Sequence, residues 1–292
     1  MSLFFGAETK NRGGANAYVL GLCWDGSSSF RKGSAKAPRV IRDYTSSRLY
    51  NPYTEAGVNI KDRWRIYDLG DVDPPSITDA VSMVKGIVGK ITSSKLDIFL
   101  GGDHSITYIA LKALKEAFNG SWGLVYFDSH PDLYESYEGD PYSHACTTRR
   151  IIEDAVVKPK HIVQVGVRAA TAEHLDYAKN KGVCILSTSD FYKMSARKIS
   201  SIIKKVLSSV DNIYVSLDVD VLDPAFAPGV GNPEGGGITP RNLIDIVHGF
   251  KGLNIQAFDV VEANPEYDCG GITFYSISKF IRELLGVIAS KL

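Results

Sequence analysis

Cysteine is scarce and scattered. The chain has four, Cys23, Cys146, Cys184 and Cys269, with no C-x-x-C pair. That spacing argues against a zinc knuckle or a small disulfide scaffold and fits buried, reduced thiols in a cytoplasmic compartment. An excess of one charge is also missing, since 33 basic residues balance 33 acidic ones. The basic pairs Arg149-Arg150 and Lys204-Lys205 are short, so nothing marks a surface for nucleic acid or an anionic membrane. No run approaches the roughly 20 apolar residues that span a bilayer. The opening "MSLFFGAETKNRGG" is too short in apolar residues, and meets Glu8 too soon, for a secretory signal. Repeats and low-complexity segments are absent as well.

What is present is alternation. Eight short apolar runs recur: "AYVLGLC", "WRIYDLG", "LDIFLGG", "WGLVYFD", "HIVQVGV", "GVCILS", "NIYVSLD" and "NIQAFDV". Most are continuously apolar, as strands covered on both faces are. Helical segments separate several of them. One is capped by Ser76 and runs to Ile91, and one starts at Ser105. Another opens on Thr171 and stops at Gly182, and a fourth has Thr239 at the cap and Pro240 at the first helical position. The pattern predicts a parallel α/β sheet in a single domain over residues 1–292. Periodicity alone leaves an open sheet and a closed barrel equally possible, but both place chemistry at the carboxyl ends of strands. Residues 42–64 and 223–240 have no clean period and read as long loops, the kind that carries function.

The strand ends carry the ionisable groups. "DIFLGG" ends in Asp103-His104, and "WGLVYF" in Asp128, His130 and Asp132. "NIYVSL" ends in Asp218, Asp220 and Asp223, and "NIQAF" in Asp259 and Glu262. An isolated Asp after a strand is ordinarily a cap or a turn former. Capping does not need Asp-x-His-x-Asp and Asp-x-Asp together, and so many acids at one edge would repel and desolvate one another without cations. In extended chain, residues two apart face one side, so Asp128, His130 and Asp132 are expected to share a cavity with Asp218 and Asp220. A carboxylate-rich set with imidazoles suits divalent ions such as manganese, and four carboxylates suit two ions with a bridging hydroxide for hydrolysis.

Four ordered motifs, "GGDHS", "DSHPD", "SLDVDVLDPAFAPGVGNPEGGG" and "DVVEANP", resemble those of the ureohydrolases, the arginase and agmatinase enzymes. "GLCWDGSSSFRKGSAKAPRVIR" is similar to their opening segment. The resemblance implies an open parallel eight-stranded sheet with helices on both faces and two Mn2+ ions per subunit. His104, Asp128, Asp132 and Asp218 would hold one ion, and Asp128, His130, Asp218 and Asp220 the other. A metal-bridging hydroxide would attack a guanidinium carbon, Glu262 would orient the guanidinium, and His144 would shuttle protons to the leaving amine. Asp103 and Asp223 would support the ligands.

The partner implied is a small cationic guanidino compound, within a homo-oligomer (trimer or hexamer). The loop "YESYEGDPYSHACTTRR" is most like the agmatinase version, so the expected reaction is agmatine to putrescine and urea, a step of polyamine biosynthesis. Glu135 or Glu138 could then steer the distal amine, but the preferred reading of either is a solvated loop charge. Arginase, guanidinobutyrase, formimidoylglutamase or an inactive metal-binding homologue are the alternatives. Ser129, Ala145-Cys146 and Asn232 depart from the family pattern. His161, His174 and His248 read as structural or surface residues, and Arg168 as half of an ion pair.

Overall fold

The computed structural model describes residues 2–90 and 95–290. All eight apolar runs form strands: β1 Ala17–Leu22, β2 Ile66–Val72, β3 Leu96–Leu100, β4 Trp122–Phe127, β5 Ile162–Val167, β6 Cys184–Ser187, β7 Asn212–Asp218 and β8 Ile255–Val261. They pair in parallel in the order β2-β1-β3-β8-β7-β4-β5-β6. The sheet is open, because β2 and β6 stand at its two edges. That settles the choice between sheet and barrel in favour of the sheet.

Continuous apolar strands produce two cores, one on each face. Along β4, Leu124 and Tyr126 pack on one side and Val125 and Phe127 on the other. Every residue of β4 is buried, whereas the edge strand β2 is partly exposed, which matches its mixed "IYDLGDV" sequence. The helix starts follow their caps. The Ser76 hydroxyl accepts from the Asp79 N–H ahead of helix Ile77–Val88; the expected end at Ile91 lies outside the described residues. Thr171 and Thr239 form capping boxes, and Gly182 closes helix Ala172–Lys181 in the left-handed conformation.

The connectivity brings four charged strand ends together. After β3 the chain skips two positions before laying down β4, and β7 and β8 later fill the gap. The carboxyl ends of β3, β8, β7 and β4 are therefore neighbours at the place where strand order reverses, the usual location of a crevice in such sheets. Close approach at Gly102 sharpens this edge. A Cβ there would lie 1.7 Å from the Trp24 carbonyl oxygen, which accepts the Asp103 N–H at 2.8 Å.

The irregular segments are anchored loops. Residues 42–64 finish the helix Ala37–Tyr44 and then run along the helix Ile272–Ala289. Trp64 Nε1 donates to Leu285 O at 3.0 Å and the Glu55 N–H to Glu283 at 3.0 Å. His248 pairs with Glu283 at 2.9 Å, which confirms its structural reading. The loop over 223–240 is tied by Asp223, whose carboxylate accepts the N–H groups of Ala225, Gly236 and Gly237. Asp223 therefore shapes a loop and touches none of the predicted ligands.

Candidate metal centre

The expected ligands do converge, but not because the chain is extended. β4 ends at Phe127, and residues 128–132 form a turn in which Asp132 has φ 50°. A left-handed aspartate is one of the few non-glycine residues such a turn tolerates. Asp218 closes β7, and Asp220 lies in the 3-10 turn Val219–Val221, its N–H donated to Asp218 Oδ1 at 2.8 Å. Tight turns, not strand alternation, bring these side chains together. Glu262 also has a positive φ, 63°, a strain of order 1–3 kcal/mol of the kind found at functional sites.

Two groups of ligand atoms share Asp128. His104, Asp128 and Asp132 form one, and Asp128, His130 and Asp220 the other. His104 Nδ1 lies 3.0 Å from Asp128 Oδ2, 3.0 Å from Asp218 Oδ2 and 3.4 Å from Asp132 Oδ2. His130 Nδ1 lies 3.0 Å from Asp220 Oδ2 and 3.5 Å from Asp128 Oδ1. Asp128 thus turns one oxygen toward each imidazole. Asp218 faces the His104 group, with its Oδ1 already accepting from Asp220. All four aspartates are buried.

A hydrogen-bond chain decides the state of His104. Asp259, within β8, accepts from Tyr214 and Thr107 on Oδ2, both at 2.7 Å, and from Ser216 Oγ on Oδ1 at 2.7 Å. Ser216 has spent its one proton on Asp259, so its oxygen accepts from His104 Nε2–H at 2.9 Å. The neutral ring then presents the bare lone pair of Nδ1 to the carboxylates. His104 Nδ1 and Asp128 Oδ2 are buried and lack hydrogen-bond partners. A lone pair among carboxylate oxygens at 3.0 Å is repulsive unless a cation lies between them, so the donor set fits a pair of divalent ions. Asp259, read from sequence as a cap if taken alone, is a ligand-orienting group instead.

Without such ions, protons are the only positive charge to hand. Burial opposes charge on His104 and His130, but Asp128 and Asp218 on the first, and Asp220 on the second, raise both far above the ordinary histidine value. Burial, then Asp128, pushes Asp132 up to about 7. Burial, with Asp220 and Asp128, raises Asp218 further. Asp220 moves the other way, because His130 outweighs its burial.

Around this cluster the supports are specific. Ser129 explains itself: its N–H and hydroxyl both donate to Asp220 Oδ1, at 3.1 and 2.8 Å. Tyr126 stacks on His104 with centroids 4.2 Å apart, and its hydroxyl donates to Asp132 Oδ2 at 2.6 Å. Asp103 accepts from Ser27 and Ser105, which locks the turn that carries His104. Arg168 has no ion-pair partner among the described residues. Its guanidinium donates to backbone carbonyls, among them Asp220 O and Glu234 O at 2.7 Å, and so clamps the turn after β7.

Glu262 and His144 stand over the cluster. Glu262 Oε1 accepts the His104 N–H at 2.8 Å and pairs with His144 Nδ1 at 2.7 Å. Its Oε2 makes no hydrogen bond among the described residues. The Ser29 N–H is donated to His144 Nε2 at 3.0 Å, so the neutral ring carries its proton on Nδ1. Burial opposes protonation of His144, but Glu262 outweighs it and raises the imidazole to about 9.

A cavity of about 200 Å³ opens above these groups, lined by His130, Asp132, Asp218, Asp220, His144 and Glu262 on its floor. Neither Glu135 nor Glu138 lines it, and the Glu135 side chain is 79% exposed and faces Arg149. Both are exposed, so the solvated-loop reading holds and they provide no grip on a distal amine. Cys146 is buried beneath the cavity's His144 turn, its thiol directed at Asp140 O. His174, read as structural or surface, does line the cavity; its place in the first turn of the helix that follows β5 was the available signal.

The family model described as the arginase family matches residues 15–286. The chain is 35% identical over 285 residues to the mitochondrial arginase 1 of Oryza sativa subsp. indica, covering 94% of this chain and 82% of that one. It is 34% identical over 277 residues to the guanidinopropionase of Pseudomonas aeruginosa, covering 93% and 86%. Among solved structures it is similar to the proclavaminate amidino hydrolase of Streptomyces clavuligerus, with a TM-score of 0.89, 30% identity and coverage of 99% and 97%.

Ser216→Ala removes the acceptor that fixes His104. Calorimetric titration with manganese is expected to show affinity about 10–100-fold weaker; unchanged affinity would contradict the hydrogen-bond chain. pH provides an independent check. Asp132 titrates at about 7 in the fold against an ordinary 3.8, so between those values the folded chain keeps a proton that the unfolded chain releases. Stability of the metal-free protein therefore falls as pH rises through that window. Asp97, pushed to about 8 by burial, acts with the same sign but lies away from the metal ligands. Divalent ions replace the cluster's protons, so the Tm gained on adding manganese should be larger near about pH 8 than near about pH 5.5. Equal gains would count against a metal–proton exchange at this site.

Proposed function

The chain belongs to the arginase family, and on that premise we propose that it hydrolyses the amidino group of a small linear guanidino compound to urea and an amine. One observation carries the reading: two carboxylate–imidazole groups share Asp128 on the floor of a cavity, with Glu262 and His144 beside them. His104, Asp128, Asp132 and Asp218 would hold one divalent ion, and His130 and Asp220 the second with Asp128 and Asp218. The oxygen-rich set favours manganese. Such a pair supplies the Lewis acidity that makes water nucleophilic near neutral pH.

The protein's own groups do the rest. The guanidinium is a cation, and the floor and Glu262 are anionic, so the field of the cavity draws that end of the substrate inward. Glu262 Oε2 is the oxygen left to take a guanidinium N–H, a charge-assisted contact. Its Oε1 is held by the His104 N–H and His144, which fixes the carboxylate's angle. His144, raised to about 9 by Glu262 against its burial, is protonated at neutral pH. Its Nδ1–H then faces Glu262, and its Nε2–H is donated to Ser29 Oγ instead of accepting the Ser29 N–H. It is the group that gives a proton to the departing amine. Ser29 keeps that ring in place from the other side.

Agmatine belongs to the class, but no residue lining the cavity favours it over its neighbours. The relatives are named for several substrates of this class, agmatine among them, and the acidic residues considered for its amine stand outside the cavity. The broader reading, an amidine hydrolase of the arginase family, is the better supported one.

The test is urea release by manganese-loaded protein across guanidino compounds. At least one should yield urea, and His144→Ala should lower kcat by about 10²–10⁴-fold while bound metal is unchanged. Loss of metal in that variant would make His144 a ligand, and no urea from any guanidino compound would overturn the reading.

A further inference from the structure

The outer wall of the cavity is not used by the chemistry above. Tyr134, Tyr137 and His174 form it, with Ala145 and Ala169 beside them. Tyr134 meets Tyr137 edge-to-face at 5.4 Å between centroids, and His174 at 4.2 Å. His174 sits in the first turn of helix Ala172–Lys181, where its Nδ1 accepts the Thr171 N–H in the capping box. Nδ1 is thus an acceptor, and the proton of the neutral ring is on Nε2. Burial holds this imidazole below its ordinary value, so the ring is neutral at pH 7.

His174 is 3% exposed, and Nε2 has no hydrogen-bond partner. A buried donor left unpaired is costly, and native folds keep few of them. An aromatic face is at most a weak partner for it. The Tyr134 ring packed against His174 is 37% exposed, and its hydroxyl has no hydrogen bond among the described residues. It can turn into solvent and leave room at the imidazole.

The charge inventory of the cavity then selects the ligand. Every carboxylate lining it, Asp132, Asp218, Asp220 or Glu262, is at the floor. An ammonium at the far end of a substrate would meet a donor N–H and no counter-charge on the wall. A carboxylate would accept that N–H.

Resting on the amidine-hydrolase reading, we propose that His174 Nε2–H binds a carboxylate at the distal end of the substrate. The chain then selects guanidino acids over guanidino amines.

The test compares 4-guanidinobutyrate with agmatine, which present the same guanidino end with opposite distal charges, using full-length manganese-loaded protein. Wild type should favour the acid by about tenfold or more in kcat/KM, as expected for a charge-assisted hydrogen bond. His174→Phe keeps a ring but no donor, and should lower the acid-to-amine ratio about tenfold, chiefly through KM for the acid. His174→Gln retains a donor and should keep more of the ratio than His174→Phe. A wild-type preference for agmatine, or a ratio unmoved by His174→Phe, overturns the proposal; the wild-type comparison stands even if a variant fails to fold. Urea only from guanidino compounds that lack a distal carboxylate also overturns it, and leaves the hydrolase reading intact. No urea from any guanidino compound, with metal bound, overturns that reading as well.

Discussion

Four buried aspartates around two imidazoles are the constraint on which the rest of this fold depends. At an effective dielectric of about 20, two like charges about 4 Å apart repel by about 4 kcal/mol, comparable with a good share of a domain's net stability of about 5–15 kcal/mol. Such a cluster persists only if cations neutralise it and if the surrounding backbone is held firmly enough not to relax. Both conditions are visible. The orphaned faces of His104 and Asp128 point into the space between ligands, and the turns that carry them are tied by Ser129, Asp103, Arg168 and the Asp259–Ser216 chain. The central strands β3, β8, β7 and β4 supply rigidity because both of their faces are packed.

The sequence made the strands and the identity of the charged edge legible, because continuous apolar runs and carboxylates at their ends are local signals. It was less informative wherever side chains meet across strands. Strand alternation in "FDSHPD" suggested the right cavity for the wrong reason, since a turn with Asp132 at positive φ does the aiming. Asp259 resembled a cap, but partners on the helix starting at Ser105 and on β7 make it the group that fixes the His104 tautomer. Arg168 had no sequence signal for a carbonyl clamp, since carbonyls are everywhere. Ser129 acquired meaning only when Asp220, 91 residues away, was seen to accept from it.

The cavity divides into two physical regimes. Its floor is largely buried and anionic, and the turns that carry its ligands are tied by specific hydrogen bonds. Its outer wall is aromatic, has a buried donor without a partner among the described residues, and includes a partly exposed tyrosine. The first arrangement suits a reaction centre, which needs fixed geometry. The second suits discrimination among substrates that share a guanidinium and differ at the other end. Changes in the wall can alter selectivity without touching the charge balance below, a physical reason for similar floors to serve different guanidino compounds.

The central claim is that this cluster is a two-cation site with Asp128 common to both. Metal content after equilibration with manganese and removal of free ion, measured on wild type and on Asp128→Asn, tests it most directly. The account predicts about two ions per chain for wild type and loss of both when the shared carboxylate becomes an amide. One ion or none in folded wild type, or a variant that still holds both, would contradict it.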